Sequence, residues 1–300
     1  MKSINKAYLQ LHLAVLLWGF TAIFGKLITL DALHLVIYRM FISTIALWIF
    51  LKSKKRFHIP DKNTIYKVIG IGIIIALHWI TLYAAIKISN VSIAISCFSS
   101  IALFTAVFNP LIHSERLRLS EILLSIFVIV GIFIIFRVQK LYLTGIILSV
   151  VSAALAALFS ILNKSLYYKN DPGSITVIEL GSGFLFLALI FPFYSYANHF
   201  PFQLPSWHDT FYLLILSIVC TSLAFTLGNY ALQKLDAFTC NLTVNLEPVY
   251  SIFLAIIIFH EDQYLNTGFY IGTGIILLSV VVHTLYKFHL TKRANFKTQT

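Results

Sequence analysis

The strongest constraint on the fold is that nearly all of the 300 residues fall in apolar runs about as long as a bilayer is thick. Hydrophobic residues make up 59% of the chain and charged residues only 11%, a surplus that lipid rather than water must cover. We therefore predict an all-α polytopic membrane protein with ten transmembrane spans. In order, the predicted spans are Leu9–Ile28, Leu33–Leu51, Ile65–Ile86, Val91–His113, Leu119–Phe136, Tyr142–Leu162, Ser174–Tyr196, Thr210–Leu232, Ala237–Phe259 and Gly268–Phe288.

The short segments between the spans set the orientation, because loops rich in Lys and Arg stay in the cytoplasm. With the N-terminus inside, 17 of the 22 basic residues fall on cytoplasmic segments, and only Lys87, Arg137 and Lys140 fall outside. We predict that both termini are cytoplasmic. This topology accounts for the net charge of +11, so no nucleic-acid partner is expected.

Ten spans also suggest two halves of five. Span four ends in His113-Ser114-Glu115 and span nine ends in His260-Glu261, an offset of 146 residues that also places Ala102 on Pro248. We predict a first repeat over 1–138, a second repeat over 139–290 and a cytoplasmic tail over 291–300. Because five is an odd number, the second repeat enters the membrane from the opposite side and the repeats are inverted.

Span nine carries the most expensive residues of the chain. Glu247 lies near the middle of a span without other charges, where insertion of a carboxylate costs roughly 2.5 to 3.5 kcal/mol. Pro248 follows at once and removes a helix hydrogen bond to the carbonyl near Val244. Such a pair indicates a cavity or a specific packing role.

Several of these features occur together in one known family. The features are Trp18-Gly19, Arg39, Glu115, the Asn245-Leu246-Glu247-Pro248-Val249 segment and Glu261. In this combination the chain resembles the EamA family of the drug/metabolite transporter superfamily, over nearly its whole length. The resemblance implies ten helices in two inverted five-helix repeats, and export of amino acids, other metabolites or drugs. Where the family often has a proline this chain has Ala102, so we expect span four to be straighter than span nine.

Polar side chains inside spans are the candidate site residues, because they persist in lipid only when they face a cavity or a partner. Arg39 and Glu179 lie at matching depths in the equivalent spans two and seven, which predicts an ion pair or a shared lining of a cavity. Trp18 is a further candidate for the cavity wall. Glu247 is interpreted either as a functional carboxylate or as a packing hydrogen-bond partner.

Span three presents His78, Trp79 and Tyr83. Trp79 and Tyr83 are four residues apart and share a face, where they would stack on a substrate, bind an amine through a cation–π contact, or pack against other helices. His78 would relay a proton or serve as a hydrogen-bonded structural residue.

Neutral and structural residues complete the candidate set. The amides of Asn229, Asn241 and Asn245 are predicted to face the cavity, the last two from one face of span nine. Glu115, Glu261 and Pro248 are predicted to be structural, the two glutamates as residues that fix helix ends and contacts between the repeats.

These observations favour a secondary transporter that exports a small organic solute by alternating access, around a cavity lined by spans one, three, four, six, eight and nine. An uptake permease, a membrane sensor or scaffold, and an intramembrane enzyme are the alternatives. The sequence lacks a phosphate-binding P-loop and a G-x-S-x-G motif, and His260-Glu261 lacks the second histidine of a zinc site, so no enzyme, cofactor or metal is expected. The expected partners are the solute and the lipid bilayer. Substrate identity, direction, coupling to protons and a homodimer are left open.

Overall fold

The computed structural model describes residues 2–114, 119–138, 142–244, 246–279 and 281–282. The helices are α1 (Lys2–Leu27), α2 (Ala32–Ser53), α3 (Lys62–Ile88), α4 (Val91–Phe98), α5 (Ile101–His113), α6 (Leu119–Val138), α7 (Leu143–Tyr167), α8 (Pro172–Asn198), α9 (Trp207–Ser217), α10 (Ala224–Lys234), α11 (Ala237–Val244), α12 (Glu247–Phe259) and α13 (Thr267–Ser279). A π-helical segment, Ile218–Leu223, joins α9 to α10, and a short 3₁₀ helix, Glu261–Tyr264, follows α12.

Seven helical segments of the described chain are long and apolar enough to cross a bilayer. Two of them combine shorter elements, Val91–His113 across α4 and α5 and Trp207–Lys234 across α9, the π segment and α10. Ile126–Ile135, Glu247–Phe259 and Thr267–Ser279 are shorter apolar helices. Because these same residues contain no strand, the all-α prediction is confirmed, while the second part of predicted span ten lies outside the described residues.

Predicted spans four and nine are each divided into two helices, which corrects the prediction of continuous spans. In span four, α4 ends at Phe98 and α5 begins at Ile101. In span nine, α11 ends at Val244 and α12 begins at Glu247. The 146-residue offset places one break on the other.

Span four is interrupted although Ala102 stands where the family often has a proline. The hydroxyl of Ser99 donates to the Ile95 carbonyl at 3.3 Å, and that of Ser100 donates to the Cys97 carbonyl at 2.8 Å. Serine hydroxyls that bond back to the preceding turn compete with the backbone ladder and bend a helix. The break in span four therefore forms without a proline.

Pro248 lies where one helix ends and the next begins. It lies in the first turn of α12, where its missing N–H is not required for a helix hydrogen bond. The hydrogen bond near Val244 is absent because α11 has ended there, so the proline begins a helix rather than kinks one.

The two predicted halves begin their helices in the same way. A short polar side chain accepts a hydrogen bond from the backbone N–H three residues later at each of these starts, which satisfies one free donor of the first turn. The matched capping residues are Asp31 and Asp171, Asp61 and Ser206, and Asn90 and Asp236.

Contacts between helices also come in pairs when the halves are exchanged. α3 packs on α7 as α10 packs on α1, and α3 packs on α8 as α9 and the π segment pack on α2. α2 packs on α3 as α8 packs on α10, and α5 packs on α7 as α12 packs on α1. Contacts between the two predicted halves therefore involve the first three helices of each half, together with α5 and α12.

Hydrogen bonds join Glu261 of the second predicted half to the start of α4 in the first. The Glu261 carboxylate accepts from Val91 N at 3.0 Å, from Ser92 N at 2.9 Å and from Ser92 Oγ at 2.6 Å, so it caps the N-terminus of α4. The sequence predicted a structural role for Glu261, and a helix cap is a contact of that kind. Glu115, its predicted counterpart, lies outside the described residues.

Candidate functional site

The helices enclose a cavity of about 90 Å³ near the middle of the bundle. At roughly 10 to 15 Å³ of this volume per water, the cavity holds about six to nine waters, which occupy roughly 180 to 270 Å³ in the liquid. That is the size of a small metabolite rather than of a drug-sized ligand, whose sites measure about 300 Å³ or more. Its walls come from α1, α2, α3, α4, α5, α7, α10, α11 and α12.

Seven of the predicted site residues line this cavity. They are Trp18, Arg39, His78, Trp79, Asn229, Asn241 and Glu247. The lining helices are those predicted, with α2 added through Arg39. Tyr83 and Glu179 do not line the cavity, and Asn245 lies outside the described residues.

Arg39 is the buried cation of the site. Its Nε donates to Thr221 Oγ1 at 2.7 Å, its Nη1 donates to the Tyr83 hydroxyl, and its guanidinium carbon lies 3.8 Å from the centre of the Trp79 ring. All three partners are neutral. Within the described ranges Arg39 forms no ion pair, so the donors that remain are available to an anionic group in the cavity.

The predicted Arg39–Glu179 ion pair is therefore not formed, and Glu179 does not share the lining. Glu179 instead contacts α7, where the Tyr167 hydroxyl donates to its Oε2 at 3.5 Å. Tyr83 still belongs to the site, because it holds Arg39 from the same face of α3 as Trp79.

The π segment explains how Arg39 finds a hydroxyl partner. The Ser43 hydroxyl of α2 donates to Ser217 O at 2.9 Å, and the Ser222 hydroxyl donates back to Ser43 O at 3.1 Å. These bonds hold α2 against the widened turn that presents Thr221. Sequence reasoning missed Thr221, because an isolated threonine in an apolar helix gives no signal, although π turns are frequent at functional sites.

His78 takes part as a neutral side chain. Its Nδ1 lies 3.0 Å from the Ser152 carbonyl, which can only accept, so we assign the proton to Nδ1. Nε2 is then an acceptor, and no group in the described ranges donates to it. The imidazole is held between Phe98 and Phe159, with ring centres 5.5 and 5.6 Å away.

The two amides differ in what they leave free. Asn241 donates to Thr105 Oγ1 at 2.8 Å and accepts from Ser160 Oγ at 3.0 Å, so it joins α11 to α5 and α7. Asn229 uses only its Nδ2, which donates to Thr176 Oγ1 at 2.8 Å. Among the described residues, the side-chain oxygen of Asn229 is thus the amide acceptor that remains for a solute.

Aromatic rings form most of the remaining wall. Phe225 lies 6.0 Å from Trp18, 5.6 Å from Trp79 and 6.1 Å from Phe159, as distances between ring centres. Gly228 lets Trp18 approach, because a β-carbon there would lie 2.6 Å from the indole. The phenylalanines were not predicted, since 26 of them are spread through the chain.

Glu247 adds a carboxylate to the lining of the cavity. It is 5% exposed, and its carboxylate has no hydrogen-bond partner in the part of the chain that the structure describes. It is the first residue of α12, where the positive end of the helix dipole favours a negative charge. One small cavity therefore offers a guanidinium, a carboxylate, a neutral imidazole and aromatic faces.

Comparison with known proteins gives a consistent assignment. The model of the "EamA-like transporter family" matches the chain twice, over residues 5–137 and 143–285. An "Uncharacterized transporter" of Archaeoglobus fulgidus is 25% identical over an alignment of 299 residues, which covers 95% of this chain and 99% of that protein. "Uncharacterized transporter YxxF" of Bacillus subtilis is 20% identical and covers 89% of this chain and 87% of its own. A crystal structure with 16% identity matches with a TM-score of 0.69 over 94% of this chain and 98% of the other, which shows a shared fold.

Proposed function

The chain belongs to the EamA-like transporter family, and from that premise we propose that it moves a small zwitterionic solute, of the amino acid class, across the membrane. The observation that carries the proposal is that Arg39 and Glu247 share one buried cavity with aromatic walls. A carboxylate of the solute would pair with the unpaired donors of Arg39, and its ammonium group would pair with Glu247. The pair of opposite charges leaves the cavity neutral overall, which suits a solute that is itself neutral overall.

The apolar part of the solute would contact the aromatic wall. Trp79 already holds the Arg39 guanidinium on one face, and Phe225 joins Trp79 to Trp18 and Phe159. Aromatic faces of this kind favour a side chain that is flat or apolar. The Nε2 of His78 would accept a hydrogen bond from the ammonium group or another donor of the solute.

The transport mechanism that we propose is alternating access between two inverted five-helix repeats, 1–138 and 139–290, with ten spans. Three observations support it: the family model matches twice, the helix caps are matched, and contacts between helices recur when the halves are exchanged. Both termini would be cytoplasmic, as the distribution of Lys and Arg favours, and the host membrane would be a bacterial inner membrane, as the family resemblance implies. Export is the direction that the family resemblance implies.

Counterflow in proteoliposomes tests the proposal. Vesicles loaded with unlabelled phenylalanine or leucine should take up the labelled amino acid, and vesicles without protein should not. Phenylalanine should compete better than phenethylamine, which lacks the carboxylate, or phenylpropionate, which lacks the amine. Absence of counterflow for every amino acid tried would refute the proposed substrate class.

Two variants assign the charges to the two ends of the solute. Arg39→Gln should remove the advantage of phenylalanine over phenethylamine, and Glu247→Gln should remove its advantage over phenylpropionate. Arg137→Gln is the matched control, because Arg137 is exposed at the end of α6 and away from the cavity. If both charge variants keep the wild-type order of competitors, these side chains do not bind the solute. Reconstituted vesicles sorted by orientation then give the direction of net flux.

A further inference from the structure

A second group of polar side chains lies outside the cavity, between α7 and α8. We call Asn163, Tyr167, Thr176 and Glu179 the Glu179 cluster; Asn163, Thr176 and Glu179 are at most 1% exposed, and Tyr167 is fully buried. The Tyr167 hydroxyl approaches Glu179 Oε2 only to 3.5 Å. Glu179 Oε1 and both polar atoms of Asn163 have no hydrogen-bond partner in the described chain. The cluster therefore holds a buried carboxylate with loose polar contacts.

No Lys, Arg or His side chain of the described residues forms an ion pair with this carboxylate. The ion pairs found among the described residues are His34–Asp31 and Arg56–Asp171, and Glu179 takes part in neither. A carboxylate that is buried in a membrane-spanning helix without a counter-ion is strongly disfavoured. Glu179 must therefore carry a proton or bind another cation reversibly.

The groups packed around Glu179 from every neighbouring helix are otherwise uncharged. From α7 the contacts are Asn163 and Tyr167, of which only Tyr167 is titratable. From α2, Met40 and Thr44 pack against the adjacent glycines of α8, and from α3 Gly72 packs against the Glu179 backbone. The charge of Glu179 is thus not set by a nearby acid or base.

The cluster connects to the central cavity on one side. Asn229, which lines the cavity, donates to Thr176 Oγ1 at 2.8 Å. Thr176 lies one helical turn before Glu179 on the same face of α8, and Tyr167 lies beside both. A change of charge at Glu179 is therefore passed to a cavity wall through two side chains.

The cluster also lies close to the end of α8 that is predicted to face the cytoplasm. Asp171 caps this end, two turns before Glu179, and its partner Arg56 is solvent-exposed. Protons from that side have about 12 Å of helix to cover, at 1.5 Å per residue.

We infer that Glu179 is the proton-carrying site of the transport cycle, separate from the solute cavity. The inference rests on the proposed transport function. In one half of the cycle a proton from water adds to Glu179 Oε1 and gives the neutral acid; in the other half it leaves to water on the opposite side and restores the carboxylate. A proton fits better than sodium, because α8 is unbroken from Pro172 to Asn198 and offers no free backbone carbonyls near Glu179.

A spectroscopic titration tests the site without any solute. Glu247 is a second buried carboxyl group, so its glutamine variant supplies the background for this titration. Infrared spectra of reconstituted Glu247→Gln, recorded from acid to alkaline pH, should show a buried carboxylic acid band that disappears on titration. Adding Glu179→Gln should remove this band, whereas adding Asp262→Asn, which removes an exposed carboxylate, should keep it. If the band persists when Glu179→Gln is added, the protonated group is elsewhere and the inference is wrong.

Transport then tests the coupling, with labelled phenylalanine as the probe. Glu179→Gln should retain counterflow, because exchange needs no net proton movement, but should lose accumulation driven by a pH gradient. Asp262→Asn should retain both. Accumulation by Glu179→Gln under a pH gradient, or wild-type accumulation that requires a sodium gradient instead, would overturn the inference. A wild type without counterflow would refute the proposed function, while the infrared titration would still decide the protonation site.

Discussion

Replacing Glu261 by glutamine tests how the two halves are held together. The Glu261 carboxylate is 3% exposed and accepts three hydrogen bonds from Val91 and Ser92, at 2.6 to 3.0 Å. Hydrogen bonds to a charged group contribute about 1.5 to 3 kcal/mol each, and a carboxylate at a helix N-terminus gains up to about 2 kcal/mol more. Glutamine keeps one acceptor oxygen but places an NH₂ group against a donor. We expect a loss of about 2 to 4 kcal/mol of unfolding free energy.

Thermal unfolding in detergent measures this loss. At about 2 °C per kcal/mol for a chain of this size, Glu261→Gln should unfold about 4 to 8 °C below the wild type. Asp262→Asn is the matched control, because Asp262 is the next residue but is exposed, and surface substitutions change stability by about 0.5 kcal/mol or less. Added salt should not change the difference, because buried interactions are screened weakly.

The reasoning is refuted if Glu261→Gln unfolds at the temperature of Asp262→Asn. In that case the three hydrogen bonds contribute no more than the water that replaces them. A large difference that disappears in high salt would also contradict it, because the carboxylate would then be reached by solvent.

Three further predictions concern the cavity and the close helix contacts. Arg39→Lys keeps the charge but loses the planar fork that reaches two hydroxyls and the indole, so the KM for phenylalanine counterflow should rise by about 10- to 100-fold, with Arg137→Lys as a control near wild type. In α3, a β-carbon at Gly72 would collide with the Glu179 carbonyl whereas one at Gly70 meets nothing, so Gly72→Ala should lower the melting temperature, by overpacking of about 1 to 3 kcal/mol, and Gly70→Ala should not. In α13, a β-carbon at Gly272 would lie 2.6 Å from a backbone carbonyl of α6 whereas one at Gly274 is unobstructed, so only Gly272→Ala should destabilise.

The positions of the helices could be predicted from the sequence because every span that crosses lipid needs a run of about 20 mainly apolar residues. Predicted boundaries such as Leu33–Leu51 and Ser174–Tyr196 differ from those of α2 and α8 by one or two residues at each end. The breaks in spans four and nine and the π segment could not be predicted in this way. All three lie within spans that are apolar on average, and they depend on where hydroxyls and carbonyls of neighbouring turns meet, which hydropathy does not record.

The site was predictable only to the level of residue type. Polar residues that are rare in lipid, such as Arg39, His78 and Glu247, do line the cavity. Phe225 and Thr221 were missed, because their residue types are ordinary in apolar helices and only their placement gives them a role. A sequence shows which side chains cost free energy in a membrane, but not which of them face the cavity.

Arg39 and Glu179 show this limit most clearly, because both are the eighth residue after a capping aspartate, Asp31 in α2 and Asp171 in α8. Residues at equivalent positions of the two predicted repeats need not touch. Arg39 lies beneath Trp79 and lines the cavity, whereas Glu179 lies against Tyr167 and does not.

The breaks in spans four and nine also lie at matched positions but differ in charge. Both bend at matched positions, but the second break begins a helix with Glu247 where the first begins one with the apolar Ile101. The halves therefore share their geometry and differ in their charge. The cavity receives its cation from the first half and its anion from the second, and an asymmetric pair of this kind can hold the two ends of a zwitterion in one orientation, which two identical halves could not do.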